Sequence, residues 1–285
     1  MSGSRQIVSD EDSINLDDCY NLALDLVRKA GDLVKEGFEK LSKTVECKSG
    51  SWDLVTEYDA KVENLLINGI TCSYPGHCFI AEETKADEVL TDAPTWIIDP
   101  VDGTNNFVHG IPFTAISVAF VLKKEIQIGI VYNPIMNEMY TARLGQGAFL
   151  NGKQIAVSNA KTLDESMYCH EISLARRDAL RDKHMKRVYK ITACSQGIRS
   201  FGCAALSLAY VARGSIDCYH LEDLYPWDVA AGALLIREAG GKVFKSDGGP
   251  YDIMDPQVVC AATDELSREV VEAIKVADEW NLRME

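Results

Sequence analysis

The chain has 285 residues and a mass of 31.5 kDa, which is enough for one large domain or two closely joined subdomains with a full hydrophobic core. Its 29 Lys and Arg residues against 43 Asp and Glu residues give a net charge of −14, and such a surface repels nucleic acid and anionic membranes. Nine cysteines without a C-x-x-C pair, no secretory signal and no stretch apolar enough to span a bilayer predict a cytoplasmic protein with reduced thiols.

Helices and then strands are predicted in the first part of the chain. Residues 1–14 are polar and predict a mobile tail. Apolar residues four apart predict a helix over residues 16–41, and a second helix begins near Tyr58. Strand patterns that indicate a mixed sheet follow at residues 78–81, 95–98, 115–122, 127–132 and 138–142.

Helices and strands alternate in the second part. Helices are predicted at residues 176–189, 203–213, 265–277 and from Asp228 to Gly240. Strands are predicted near Ile198 and at residues 217–220, 243–244 and 258–262. The alternation predicts a layered α/β fold, with one domain over residues 15–285 and subdomains of about 15–150 and 151–285.

The run Trp-Ile-Ile-Asp-Pro-Val-Asp-Gly-Thr at residues 96–104 is the most informative segment. It places Asp99 and Asp102 at the end of an apolar strand, where they gather the hard oxygen ligands that Mg²⁺ prefers. Gly103 and Thr104 follow, and their backbone N–H groups suit a phosphate. On so acidic a chain, bound cations would also have to reverse the local charge before a phosphate could bind.

Five acidic residues stand at predicted strand or helix ends: Asp59, Glu82, Asp99, Asp102 and Asp228. Asp59 and Asp228 lie near helix starts, where a capping role explains each of them about as well as catalysis does. A solvated pair is the ordinary explanation for Glu82 and Glu83. Turn propensity alone does not explain Asp99 and Asp102.

Four blocks together resemble the inositol monophosphatase family, over about residues 16 to 280. They are WIIDPVDGTNNF at 96–107, the upstream Glu82-Glu83, DLVTEYD at 53–59 and WDVAAGALLIREAGG at 227–241. The resemblance implies an αβαβα fold, usually a homodimer, and lithium-sensitive, Mg²⁺-dependent hydrolysis of inositol monophosphates. The attacking group is expected to be a metal-activated water, without a phosphoenzyme.

The resemblance also implies roles for individual residues. The ligands of two to three Mg²⁺ ions, which Mn²⁺ could replace, would be Glu82, Asp99, the Val101 carbonyl, Asp102 and Asp228. The catalytic group that activates water would be Asp59 and Thr104, with Glu82 also contacting a weaker third ion. The substrate contacts would be Gly103, Thr104, Gly202, Cys203, Ala204, Glu222 and Asp228. Lys48 matches a family lysine close to the metal loop.

One departure bears on the substrate. The family's typical glutamate that receives inositol hydroxyls lies seven positions before the Trp-Asp aspartate, and here that position is Leu221. Leucine cannot accept a hydrogen bond, so Glu222 could take its place, or Glu222 could face solvent or a dimer contact. A related phosphatase for a sugar phosphate, a sugar bisphosphate or a phosphoadenosine nucleotide is the alternative. A non-catalytic scaffold is disfavoured because all five acids are present.

Overall fold

The computed structural model describes residues 14–40, 43–48 and 54–280, so nearly all of the expected tail lies outside the described residues. Helix α1 (Leu16–Glu39) and helix α2 (Glu57–Ser73) pack against each other. Between them in the chain, β1 (Val45–Cys47) and β2 (Leu54–Thr56) form a small antiparallel sheet.

A seven-stranded sheet follows, with its strands in chain order from β3 to β9. The strands β3 and β4 are parallel, and every later neighbouring pair is antiparallel. The bounds are β3 (Cys78–Ala81), β4 (Thr95–Asp102), β5 (Ala115–Leu122), β6 (Glu125–Asn133), β7 (Glu138–Arg143), β8 (Ala148–Leu150) and β9 (Lys153–Ile155).

The second half contains a five-stranded mixed sheet of order β11-β10-β12-β14-β13. Its strands are β10 (Met167–Cys169), β11 (Gly197–Arg199), β12 (Cys218–Leu221), β13 (Lys242–Lys245) and β14 (Val258–Ala261). The remaining helices are α3 (Thr104–Val108), α4 (Asp178–Thr192), α5 (Ala204–Ala212), α6 (Pro226–Glu238) and α7 (Asp264–Glu279).

The layers confirm the expected αβαβα architecture. Helices α1 and α2 cover one face of the seven-stranded sheet, and α5 and α6 lie between the two sheets in the largest hydrophobic core. Helices α4 and α7 pack on the outer side of the five-stranded sheet. Among the described residues, no helix has the length and apolar character needed to cross a bilayer. The nine cysteines are all free.

Two element bounds near the acidic motif differ from the sequence-based prediction. Strand β4 continues through Asp102 instead of ending at Ile98, because its backbone stays paired with β5 beyond the apolar residues. Helix α6 begins at Pro226, two residues before Asp228, since proline is favourable in the first helical turn. Asp102 therefore lies inside a strand and Asp228 inside a helix.

A glycine controls how closely α6 approaches the first sheet. A Cβ atom at Gly129 on β6 would lie 2.7 Å from the Ala231 carbonyl oxygen of α6. Backbone atoms cannot move aside as a flexible side chain could. Because α6 carries Asp228, this contact also sets the position of that carboxylate.

We expect Gly129→Ala to push α6 away from the sheet and to lower the free energy of unfolding by about 1–3 kcal/mol. Denaturant unfolding measures the change. Gly76→Ala is the matched control, since nothing lies within 4 Å of a Cβ atom there. Equal stability of the two variants would contradict the proposed close packing.

Candidate active site

An irregularity in β4 brings its two acids to the same side. Asp99 is paired with Ser117 and Asp102 with Ala115, so three residue steps on β4 span two steps on β5. Residues three apart on a regular strand face opposite sides of the sheet. The bulge adds one residue to β4 between the two acids, so Asp99 and Asp102 face the same side of the sheet. Both carboxylates can therefore reach one point.

Asp228 reaches the same point from the second half of the chain. It lies in the first turn of α6, where its Oδ2 accepts a hydrogen bond of 2.7 Å from the Tyr225 N–H. One carboxylate oxygen from each of Asp99, Asp102 and Asp228 lies within 4.8 Å of the others. Asp228 is therefore a helix cap, as one of the two interpretations held, and its carboxylate is also part of this acidic cluster.

The acidic cluster is electrostatically unfavourable in the absence of a cation. Burial, with the neighbouring Glu82 and Asp102 carboxylates, raises the pKa of Asp99 well above its usual value. Burial and Asp102 raise the pKa of Asp228 in the same way. Hard oxygen donors that repel one another in a confined space fit a small divalent cation such as Mg²⁺. The residues present therefore suit the metal that the sequence motif implies.

Asp102 links the acidic cluster to helix α5. Burial raises the pKa of Asp102 to about 6, although hydrogen bonds from the start of α5 oppose the rise. Its Oδ2 accepts hydrogen bonds from the Ala205 N–H at 2.5 Å and from the Cys203 thiol at 3.1 Å. Of the predicted substrate-binding residues, Cys203 thus contacts a cluster acid directly, Ala204 lies between the two donors in the chain, and Gly202 precedes them.

Asp59 and Thr104 are brought together across the chain. The Asp59 Oδ2 accepts hydrogen bonds from the Thr56 N–H at 2.8 Å and the Thr56 hydroxyl at 2.5 Å, which caps α2. The Thr104 hydroxyl lies 3.4 Å from the Asp59 Oδ1 and 3.0 Å from the Val101 carbonyl oxygen. Burial raises the pKa of Asp59 to about 6.

Gly103 occupies a turn that no other residue fits well. Its φ is +84°, and a Cβ atom there would lie 2.8 Å from the Phe113 carbonyl oxygen. This turn starts the short helix α3 at Thr104. The first N–H groups of a helix have no partner within it, so those of Gly103 and Thr104 are placed for an external acceptor.

Glu82 lies in a second acidic group that is paired with a lysine. The Lys48 Nζ lies 2.8 Å from the Glu82 Oε1 and 2.6 Å from the Glu83 Oε1. These carboxylates raise the pKa of Lys48, although burial acts in the opposite direction. Burial raises the pKa of Glu83 to about 7. The ordinary interpretation of Glu82 and Glu83 as a solvated pair is therefore wrong.

Glu222 forms ion pairs with basic residues of helix α4. Its carboxylate forms ion pairs with Lys183 and with Arg187, the latter at 3.0 Å, and only 13% of its side chain is exposed. Burial alone would raise the pKa of Glu222, but hydrogen bonds with His220 and Lys183 and the charge of Arg187 hold it below its usual range. The expectation that Glu222 faces solvent is thus wrong, and its role toward substrate stays a prediction. Leu221 is buried in β12.

Sequence reasoning missed three polar residues that support the site. The Glu63 carboxylate accepts hydrogen bonds from the Glu83 N–H at 2.8 Å and the Thr84 hydroxyl at 2.5 Å. Glu171 accepts one of 2.9 Å from the Gly202 N–H. The Asn106 amide joins the two halves of the chain by donating to the Phe113 and Phe201 carbonyl oxygens. Only Asn106 lies within a recognised motif.

Comparisons with known proteins all point to one family. Residues 15–278 match the model of the inositol monophosphatase family. Human inositol monophosphatase 1 is 40% identical over 265 residues, which cover 91% of this chain and 95% of that protein. The solved Thermotoga maritima IMPase has a TM-score of 0.83 and 33% identity, covering 92% and 98% of the two chains. The extragenic suppressor protein suhB from Bartonella henselae has a TM-score of 0.82 and 34% identity, covering 90% and 98%.

We expect Asp99→Asn to abolish activity yet to stabilise the metal-free protein by about 0.5–2 kcal/mol at pH 8. An acid whose pKa is raised in the folded state destabilises that state as pH increases above the unfolded pKa. The variant removes this repulsion, and its amide oxygen can still accept the hydrogen bond from the Val101 N–H.

Urea unfolding in a chelating buffer at several pH values measures the effect of Asp99→Asn. Asp217→Asn is the control, because Asp217 accepts hydrogen bonds from the Ser158 hydroxyl and the Met167 N–H and lies outside the acidic cluster. A loss of stability in Asp99→Asn that equals or exceeds that of the control would contradict the repulsion argument.

Proposed function

The chain belongs to the inositol monophosphatase family and is a phosphoric monoester hydrolase, and on that premise we propose that it hydrolyses inositol monophosphates with water in a Mg²⁺-dependent reaction. The observation that carries the proposal is the convergence of Asp99, Asp102 and Asp228 within 4.8 Å, where each carboxyl has a raised pKa. Helix capping needs only one of these acids, whereas three of them so close together make a good cation site.

The proposed metal ligands are the acidic cluster, Glu82 and the Val101 carbonyl. Bound Mg²⁺ or Mn²⁺ ions, two to three in number, would neutralise phosphate oxygens and lower the pKa of a bound water. The N–H groups of Gly103 and Thr104 would donate to the phosphate. Gly202, Cys203 and Ala204 would line the leaving-group side, since Cys203 contacts Asp102.

Asp59 and Thr104 would position the attacking water and take its proton. With a pKa of about 6, Asp59 is mostly ionised at neutral pH, and it still retains useful basicity. The Thr104 hydroxyl can donate to Asp59 or to the Val101 carbonyl oxygen and accept from a water. Positioning and electrostatics would supply most of the catalysis.

The residues that would recognise the leaving group are less certain from the sequence motifs than those that would bind the phosphate. Leu221 is buried where a hydroxyl acceptor is expected, and Glu222 is bound by Lys183 and Arg187. The alternative is a related phosphatase for a sugar phosphate, a sugar bisphosphate or a phosphoadenosine nucleotide, and the lack of a free hydroxyl acceptor at Leu221 and Glu222 supports it. Lithium inhibition and a homodimer follow from the family resemblance, and a cytoplasmic location follows from the cysteine pattern; all three stay predictions.

We expect Mg²⁺ to bind with an affinity that rises at least tenfold from pH 5.5 to pH 7.5 and with release of protons. The folded-state pKa values are raised, so the cluster holds protons at low pH that a cation must displace. Isothermal titration in buffers of different ionisation enthalpy measures both quantities.

Phosphate release from inositol 1-phosphate, with and without a chelator, tests the activity in the same preparations. Asp228→Asn should weaken Mg²⁺ binding by an order of magnitude or more, and Asp217→Asn should not. Absence of Mg²⁺ binding, or chelator-resistant turnover, would refute the proposed function.

A substrate panel tests the leaving-group assignment. We expect Leu221→Glu to raise kcat/KM for inositol 1-phosphate about tenfold relative to β-glycerophosphate, because a carboxylate can accept inositol hydroxyl protons. Leu221→Met controls for volume, and a melting curve checks that the buried charge is tolerated. An unchanged ratio in a folded variant would exclude this position from leaving-group recognition.

A further inference from the structure

Two phenylalanine rings join the segments that hold Asp102. Phe113 and Phe201 stack with their ring centroids 5.1 Å apart and an interplanar angle of 9°. Next to Phe113, the Thr114 hydroxyl donates a hydrogen bond of 2.9 Å to the Asp102 carbonyl oxygen. Two residues after Phe201, the Cys203 thiol donates to the Asp102 carboxylate. The main chain and the side chain of Asp102 are thus held from two segments, and the stacked rings connect these segments.

Tyr210 packs against both of these rings from helix α5. Its ring meets that of Phe201 edge-on, with the centroids 5.4 Å apart at an angle of 71°, and that of Phe113 at 6.2 Å and 70°. Edge-to-face contact is a favoured geometry for aromatic rings, and Tyr210 is buried. The Asn106 amide joins the backbones of the two phenylalanines, and Tyr210 closes the same junction at the side chains. One side chain therefore limits the movement of both segments.

An ion pair fixes the orientation of the Tyr210 ring. The Arg213 guanidinium carbon lies 3.8 Å from the centroid of that ring, and the Arg213 Nη1 lies 2.7 Å from the Glu138 Oε1. The Tyr210 hydroxyl donates to the Glu138 Oε2 at 3.3 Å, and the Tyr140 hydroxyl donates to the same oxygen at 3.0 Å. Glu138 therefore keeps two partners if the Tyr210 hydroxyl is removed, and Arg213 still covers the ring.

We infer that Tyr210 is a positioning residue for Asp102. Its ring keeps the two phenylalanine rings stacked, and the stack holds the turn at Gly103 against the turn at Gly202. These turns are in close contact, since a Cβ atom at Gly103 would lie 3.1 Å from the Gly202 carbonyl oxygen. Without the Tyr210 ring the turns separate, and the Asp102 carboxylate loses its fixed place in the acidic cluster. The effect on metal binding and turnover rests on the proposed function, whereas the effect on the turns does not.

Alkylation of Cys203 measures the separation of the turns without metal or turnover. Cys203 is 1% exposed, so iodoacetamide reaches its thiol only when the neighbouring turn at Gly202 opens. In Tyr210→Leu, Cys203 should react about fivefold faster than in the wild type, because local opening becomes more frequent. Cys260, which is also buried, should react at an unchanged rate. Tyr210→Phe retains the edge-to-face contacts and should stay within about twofold of the wild type. Peptide mass spectrometry of the native protein quantifies both thiols.

Metal binding and phosphate release measure the consequence at the site. In Tyr210→Leu we expect Mg²⁺ to bind about threefold more weakly and kcat for inositol 1-phosphate to fall about tenfold, because a small displacement of a site residue has a large effect on rate. Tyr210→Phe should restore both values. Phe120→Leu is the matched control, since it removes a buried ring of β5 that packs on Trp96 and His77, away from both turns. Melting curves establish that each variant is folded at the assay temperature.

The outcomes separate the positioning role from the proposed function. If Cys203 reacts no faster in folded Tyr210→Leu, or if Phe120→Leu lowers kcat as much, the positioning role is overturned and the metal-dependent function stands. Faster alkylation with unchanged metal binding and kcat also overturns it. Tyr210→Met fills the space without a ring and replaces the leucine variant if that one does not fold. If the wild type neither binds Mg²⁺ nor releases phosphate, the proposed function falls, and the alkylation rates still decide whether Tyr210 holds the turns together.

Discussion

Repulsion among closely spaced carboxylates with little access to solvent is the constraint on which the rest of this structure depends. Asp99, Asp102 and Asp228 have oxygens within 4.8 Å of one another, and their raised pKa values record the free energy needed to hold them there. An isolated turn could not keep them together, because the side chains would separate into solvent. Two sheets and the helices between them supply the rigidity.

Helix N-termini relieve part of this repulsion. Asp228 lies in the first turn of α6, Asp59 lies in the first turn of α2, and Asp102 accepts the Ala205 N–H at the start of α5. The partial positive charge of a helix N-terminus stabilises a nearby carboxylate. Three separate helices therefore direct their N-termini toward one acidic region, and the capping and metal-binding interpretations of these acids are compatible.

Most of the acids that the fold brings together could be predicted from the sequence, but the surrounding geometry could not. The spacing of Asp99 and Asp102 within an apolar run indicated a cation site, and the layered fold followed from the alternation of elements. The continuation of β4 through both acids was missed, since proline and glycine suggested that the strand had ended. Glu63 and Glu171 were missed because a buried carboxylate carries no local signal that separates it from a surface acid.

By itself, the sequence determined the acid types, their order along the chain, the glycine at the turn after Asp102 and the helices that carry Asp59 and Asp228. These features are local, and short-range spacing and backbone preference are enough to specify them. Only the tertiary structure decided that the β4 bulge turns Asp99 and Asp102 to the same side of the sheet. It also decided that Lys48 pairs with Glu82 and that Glu222 pairs with Lys183 and Arg187. Each of these depends on strand register or on contacts between residues far apart in the chain, and no local pattern encodes them.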